Sequence, residues 1–363
     1  MMSLAEKLAP ENIKKLIPYQ SARRIGGTGH LWLNANELEE PLLFKPHQSP
    51  LNRYPDFMPH DIASAYQAYC QTRQPTLAVR GADEAIDLLV RTFCQPGNDG
   101  IVTCSPTYAM YEFCAESLAV EVIDCPLLLP DFELDVDSVV KAAEQASIVF
   151  LCSPNNPTGQ LLSREKVIAV LEQTQQSALV VVDEAYIEFE LSQSIVDLVE
   201  QYPNLVVIRT LSKAFGLAAV RCGFIIAQQP VMDFVSKLIP PYPMPDSSAE
   251  IVLQALSPEG LEKVASHTAT LIESRQRFVE RIQHLEWIDT IYPSDTNFVL
   301  IRTLPDVDLF EYLRQQGIVT RNQTHEPSLQ NCVRITIGTE RSMQEVAHAI
   351  CRYTCELTPS TEQ

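Results

Sequence analysis

Two apolar runs in this chain end on groups that can do chemistry. In Ala178-Leu179-Val180-Val181-Val182-Asp183-Glu184-Ala185-Tyr186 the run meets two carboxylates. In Leu205 to Arg209, continued by Thr210-Leu211-Ser212-Lys213-Ala214-Phe215-Gly216, it meets a lysine. A lysine in an apolar turn bordered by glycine is costly to bury while charged. Desolvation lowers its pKa and leaves a free amine, a nucleophile for carbonyls. Ser212 precedes it and Arg221 follows closely; hydroxyls and a guanidinium beside such an amine can clamp a phosphate. A third run, Ser147–Cys152, leads into Ser153-Pro154-Asn155-Asn156-Pro157-Thr158-Gly159, where Asn156 offers an amide held by proline. Each group also has a plain structural reading. Asp183 can cap the next helix, Lys213 can sit exposed in a loop, and Asn-Pro with Thr-Gly can be an ordinary turn. Residue types alone leave both readings open.

The elements that would position these groups are legible in the hydrophobic pattern. Apolar β-branched runs recur at Thr76–Arg80, Ile101–Cys104, Ser147–Cys152, Ala178–Val182, Leu205–Arg209 and Gly223–Ala227. They are continuous rather than alternating, as strands buried on both faces of a parallel sheet must be. Between them lie helical stripes such as Ile86, Leu89, Val90 and Phe93. Pro240-Pro241-Tyr242-Pro243-Met244-Pro245 interrupts this order. A helical stretch over Ser247 to His284 follows, then strands at Asn297–Arg302, Gly317–Thr320 and Val333–Ile337. The pattern predicts an α/β protein: a large domain with a mostly parallel sheet flanked by helices, plus a smaller α/β domain. The expected division is 1–46 for an N-terminal arm and part of the small domain, 47–245 for the large domain, and 246–363 for the rest of the small domain. Open sheets of this kind bind ligands at the carboxyl ends of their strands, which is where Asp183 and Lys213 fall.

Composition narrows the partners. The chain has 363 residues, with Lys+Arg 27 against Asp+Glu 46 and a net charge of −19. Such a field repels nucleic acid and anionic membranes, so an anionic substrate needs a local group of cations. Hydrophobic content of 46% with 20% charged residues excludes wholesale disorder. The ten cysteines form no C-x-x-C pair and read as reduced, buried thiols. The seven histidines have no metal-ligand spacing, so no metal is expected. No run of about 18 apolar residues occurs, and Met1 to Gln20 mixes charges among short apolar stretches; the expected compartment is the cytoplasm. No G-x-G-x-x-G follows the early strands, which argues against a nicotinamide dehydrogenase.

Taken in order, Asn156-Pro157-Thr158-Gly159, Asp183-Glu184-Ala185-Tyr186, and Ser212-Lys213 with Arg221 resemble the fold-type I pyridoxal-phosphate-dependent aminotransferases. More narrowly, the chain resembles the histidinol-phosphate aminotransferase branch of that family from about residue 10 to 340. The stretches that carry this include Pro18 to Arg24, Leu33-Asn34-Ala35-Asn36-Glu37, Asn52-Arg53-Tyr54-Pro55, Arg80-Gly81-Ala82-Asp83-Glu84, Pro106-Thr107-Tyr108, Arg209 to Phe224, and Val333-Arg334-Ile335-Thr336-Ile337-Gly338. Ala219 stands where the family often has glycine.

The resemblance implies a set of roles. Lys213 would hold pyridoxal 5'-phosphate through its amine and, once displaced, shuttle a proton as general base and acid. Asp183 would pair with the cofactor's ring nitrogen. Tyr186 and Asn156 would hydrogen-bond its phenolate oxygen, and Tyr108 would stack on the ring. Gly81, Ala82 and Asp83 would open a helix whose N-terminus takes the phosphate, with Thr210, Ser212 and Arg221 completing the clamp. The side chains of Asp83 and Glu84 are expected to turn away from that anion. Arg334 and Arg321 would bind substrate anions with Tyr19 and Asn156. Tyr54 would reach the neighbouring site of a homodimer. The implied reaction passes an amino group between histidinol phosphate and 2-oxoglutarate, giving imidazole acetol phosphate and glutamate. A phosphoamino-acid decarboxylase of the same fold is the alternative. A non-catalytic cofactor-binding protein fits poorly with Lys213, Asp183 and Arg334 all present.

Overall fold

The computed structural model describes residues 11–17, 28–42, 52 and 54–357; Tyr19 lies outside them. In chain order the strands are β1 (Leu31–Trp32), β2 (Thr76–Val79), β3 (Gly100–Thr103), β4 (Glu121–Asp124), β5 (Ile148–Cys152), β6 (Leu179–Asp183), β7 (Leu205–Thr210), β8 (Gly223–Ala227), β9 (Ile288–Ile291), β10 (Phe298–Thr303), β11 (Ile318–Val319), β12 (Arg321–Asn322) and β13 (Cys332–Thr336). Seven of them form one sheet in the order β2-β8-β7-β6-β5-β3-β4. Every neighbouring pair from β7 to β4 is parallel, while β8 runs antiparallel to both β7 and β2. The expected α/β class, with a mostly parallel sheet flanked by helices, is what the chain forms.

The strand direction decides where the chemistry can be. With β8 reversed, the carboxyl ends of β2, β3, β5, β6 and β7 and the amino end of β8 share one edge. The segments leaving that edge carry Gly81, Tyr108, Asn156, Asp183, Lys213 and Arg221. Central strands β3, β5, β7 and β8 are buried along their whole length, which is why their sequences are apolar without alternation. On one face, Ile101, Phe150, Val181, Ile208 and Ile225 pack against Ile86, Leu89 and Val90 of the helix Ala82–Phe93 and against Val231 and Val235 of the helix Gln229–Val235. On the other, Val102, Leu151, Val182 and Val207 are continuous with a core that includes Phe298, Leu300 and Ile335.

That second core belongs to a four-stranded antiparallel sheet in the order β12-β13-β10-β9. The single helical stretch expected over Ser247 to His284 is two helices, Asp246–Ala255 and Pro258–Ile282. Pro258 has no N–H to continue the first helix, and the Ser257 hydroxyl accepts from Gly260 N–H (3.2 Å) to start the second. Strands β1, β4, β9 and β12 lie outside the apolar runs of the sequence. Two of them are only two residues long, and β4 is an edge strand whose ends are exposed, so none presents an apolar run. Strand β11 does not join the four-stranded sheet; it pairs in parallel with β1, tying the segment before Asn34 to this region.

Candidate active site

The shared strand edge opens onto a cavity of about 900 Å³. Its wall includes Ala82, Asp83, Tyr108, Asn156, Asp183, Tyr186, Thr210, Ser212, Lys213, Arg221, Arg321 and Arg334. Gly81 is not in the wall but just beneath it. Tyr54 is elsewhere: it is 81% exposed and stacks on Tyr242 with ring centroids 4.7 Å apart.

Asp183 ends β6 and is 2% exposed. Its Oδ2 accepts from the Tyr111 hydroxyl (2.8 Å) and its Oδ1 from Ala185 N–H (3.0 Å). Burial, reinforced by the charge of Asp83, pushes its carboxyl up to about 6 against the pull of Tyr111, Ala185 and Lys213. Tyr111, fully buried and stacked on Phe150 (4.7 Å), is a site residue the sequence did not reveal. The Lys213 amine donates to the Ala35 carbonyl (3.3 Å) and sits 5.5 Å from the centre of the Tyr186 ring. Burial and then the charge of Arg334 bring it down to about 8, opposed by Asp83, Glu37 and Asp183. A neutral amine is therefore accessible near neutral pH, as nucleophilic attack on a carbonyl requires.

A second group of residues forms a cradle for an anion. Gly81 precedes the helix Ala82–Phe93 with φ +87°, and a Cβ there would lie 2.5 Å from the Arg221 guanidinium. Gly223 likewise has no room for a side chain, since its Cβ would meet Gly81 at 2.6 Å. These two glycines let β8 and Arg221 close on the helix N-terminus, where backbone N–H groups favour negative charge. Arg221 adopts a left-handed backbone (φ 58°) and donates to Ala218 O (3.0 Å) and Arg80 O (3.4 Å). The Thr210 hydroxyl donates to Ser212 Oγ (2.9 Å) and accepts from Ser212 N–H (3.2 Å). Glu84 turns away, folding back onto Arg80. Asp83 does not. Its carboxylate lines the cavity because two donors face it there: the Tyr108 hydroxyl (2.9 Å) and Arg221 (3.4 Å).

The opposite wall carries two arginines. Arg321 on β12 and Arg334 on β13 are direct cross-strand partners, and both line the cavity. Arg334 is 7% exposed; it donates to the Asn156 side-chain oxygen and to Asn34 O (3.1 Å), with its guanidinium 5.2 Å from the Phe298 ring centre. Asn156 thus orients Arg334. Like charges directly opposite one another destabilise a strand pair, so this placement favours an anion between them. The same field reaches His325 at the rim, whose imidazole is lowered by burial and then by Arg321 and Arg334. The segment Asn34–Glu37 crosses between the two walls and touches Lys213, Tyr186 and Arg334.

Residues 33–350 match the family model of aminotransferase class I and II. The chain belongs to the class I and II aminotransferases. Among relatives of this aminotransferase, the histidinol-phosphate aminotransferase of Salmonella paratyphi B is 43% identical over 350 residues, 96% of this chain and 97% of that protein. The one from Shigella flexneri is 42% identical over 344 residues, 94% and 96% of the two chains. Among solved structures, the histidinol-phosphate aminotransferase of Clostridium acetobutylicum has a TM-score of 0.83 at 23% identity, covering 90% of this chain and all of that one. That of Sinorhizobium meliloti, solved with pyridoxal-5'-phosphate, has a TM-score of 0.82 at 22% identity, covering 97% and 98%. At these identities the structures speak to the fold.

Proposed function

We propose that this aminotransferase moves an amino group between L-histidinol phosphate and 2-oxoglutarate in the cytoplasm, forming imidazole acetol phosphate and L-glutamate in histidine biosynthesis. The observation that carries the substrate class is the opposed pair Arg321 and Arg334 on the wall facing Lys213. Two planar cations suit both anions the reaction needs, a phosphate ester and a carboxylate. Relatives that bear the name are 42–43% identical along nearly their whole length, which supports the same choice.

Pyridoxal 5'-phosphate is the cofactor we assign, and the residues present fit it. The Arg221 guanidinium, the hydroxyls of Thr210 and Ser212 and the helix N-terminus above Gly81 would hold its phosphate. Asp183, buried and ionisable near 6, would pair with its ring nitrogen. Tyr108 would cover the ring, and Tyr186 with Asn156 would meet its phenolic oxygen. When bound, such a cofactor supplies a reactive carbonyl and an electron sink that acidifies the substrate's Cα–H. Lys213 would anchor it through Nζ and, once displaced by the incoming amine, would carry the Cα proton from substrate to cofactor, acting first as general base and then as general acid. We also propose a homodimer in which Tyr54 reaches the neighbouring cavity. Its support is Tyr54 itself, an aromatic ring exposed outside its own cavity on Tyr242.

The test is a side-by-side assay of histidinol phosphate, phenylalanine and threonine phosphate, with and without 2-oxoglutarate. The expected result is glutamate formation, fastest with histidinol phosphate and only with the oxo acid. Carbon dioxide release from threonine phosphate without an oxo acid would establish the decarboxylase instead.

A further inference from the structure

Asn36 is 1% exposed and holds a left-handed backbone (φ 55°), a conformation asparagine tolerates better than most residues. All of its polar atoms are engaged. Its N–H donates to Thr336 Oγ1 (3.0 Å) and its carbonyl accepts from the Asn297 amide (3.1 Å). Its Oδ1 accepts from the Thr336 hydroxyl (2.9 Å), and its Nδ2 donates to the Tyr186 oxygen (2.9 Å).

The direction of each bond follows from what each atom can do. A backbone N–H only donates, so Thr336 Oγ1 accepts there and gives its single proton to Asn36 Oδ1. With the amide oxygen held by Thr336, the end facing Tyr186 is the NH2 group, which also only donates. Tyr186 is thus made the acceptor in this bond. Its own proton is left for the other side, where the residue lines the cavity beside Lys213. A phenol that accepts one hydrogen bond also donates a stronger one, because chained bonds polarise each other.

We propose that Asn36 is a positioning residue that commits Tyr186 to donate its proton into the cavity, toward an anionic oxygen of the bound cofactor. The identity of that oxygen rests on the cofactor assignment above; the polarity of Tyr186 is a property of this chain alone. Asn36 borders the cavity with the rest of Asn34–Glu37 but is 1% exposed, and its side-chain amide meets the reaction through Tyr186.

Two variants reverse the polarity. Asn36→Asp presents a carboxylate that takes the Tyr186 proton, and Thr336→Val frees the amide to turn its oxygen toward Tyr186. The first readout is the tyrosine Raman doublet of cofactor-free protein, with Tyr186→Phe used to subtract the other tyrosines. Both variants are expected to shift the Tyr186 doublet to the strong-donor pattern. The second readout is a double-mutant cycle in the glutamate half-reaction. Asn36→Asp should lower the rate constant by about tenfold with Tyr186 present and change it less than about twofold in Tyr186→Phe. A doublet unchanged in both variants, or a loss equally large without Tyr186, would overturn the proposal and leave Asn36 as a clip between the N-terminal segment and β13. If Asn36→Asp does not fold, the same two readouts on Thr336→Val decide the matter. Wild-type protein that takes up no pyridoxal phosphate would defeat the cofactor assignment, while the Raman result still judges the polarity of Tyr186.

Discussion

Neighbouring residues at the carboxyl ends of β6 and β7 supply two very different groups of polar side chains. Asp183 and Thr210 face the cavity; Glu184 and Arg209, one position away, face the protein interior. Arg209 is 1% exposed, donates to Glu184 (2.7 Å) and to the Ser194 hydroxyl (2.7 Å), and lies 3.7 Å from Glu188. Glu184 also accepts from Ile195 N–H (2.7 Å). This cluster is sealed and mostly satisfied from within. The cavity group instead borrows its partners from distant segments (Tyr111, Ala35, Asn34) and keeps free space in front of its reactive atoms. Alternation along the strands separates the two sets. A carboxylate at a strand end is chemistry only where the space beside it stays open.

Mutations should divide along the same line, stability on one side and activity on the other. The largest expected effect is Glu184→Ala, which leaves Arg209 without its closest countercharge and should cost on the order of 3–5 kcal/mol in chemical denaturation. Loss of activity at full stability in that variant would merge the two groups. Arg334→Ala should keep the fold and the cofactor yet lose about 2–5 kcal/mol of transition-state binding with both glutamate and histidinol phosphate. Arg334→Lys should recover only part, since an ammonium cannot reproduce the planar fork. Damage confined to the glutamate half-reaction would move the phosphate to Arg321.

Glu188 sharpens the contrast through pH. Burial pushes its carboxyl up to about 7, and neither of its oxygens makes a hydrogen bond among the described residues. The native state therefore keeps a proton that the unfolded chain has released above its ordinary carboxyl range. Stability from this group is full below that range and falls as pH rises to about 7, by about 3 kcal/mol. Glu188→Gln should flatten the stability curve between pH 5 and 7, leaving the smaller slope that Asp183 gives up to about 6. An unaltered curve would refute the assignment. The smallest expected effect is that of Tyr111→Phe, which removes a hydrogen bond that holds Asp183 down. Pyridoxal phosphate binding to the cofactor-free protein should weaken by up to about tenfold at pH 6 and much less at pH 8. Equal loss at both values would make Tyr111 a packing residue.

The strand ends were readable because buried parallel strands are apolar throughout, so Asp183 and the turn holding Lys213 stand out against their runs. The partners of those residues were not readable. Tyr111 is 72 positions from Asp183 and Asn36 is 150 from Tyr186, and nothing local marks either contact. The split at Ser257 was marked by Ser-Pro but masked by a helical pattern on both sides. Asp83 shows the limit of charge reasoning. Repulsion from a phosphate predicts that it turns away, yet Tyr108 and Arg221 give its carboxylate better partners inside the cavity than solvent does outside.

Lys213, whose amine burial and Arg334 bring down to about 8, is proposed as the covalent anchor and proton carrier of the site. Borohydride reduction of the holoenzyme followed by peptide mapping tests it most directly. The expected result is a single pyridoxyl adduct on Lys213, with cofactor uptake by cofactor-free protein at a rate that rises with pH through about 8. An adduct on any other lysine, or none on Lys213, would contradict it.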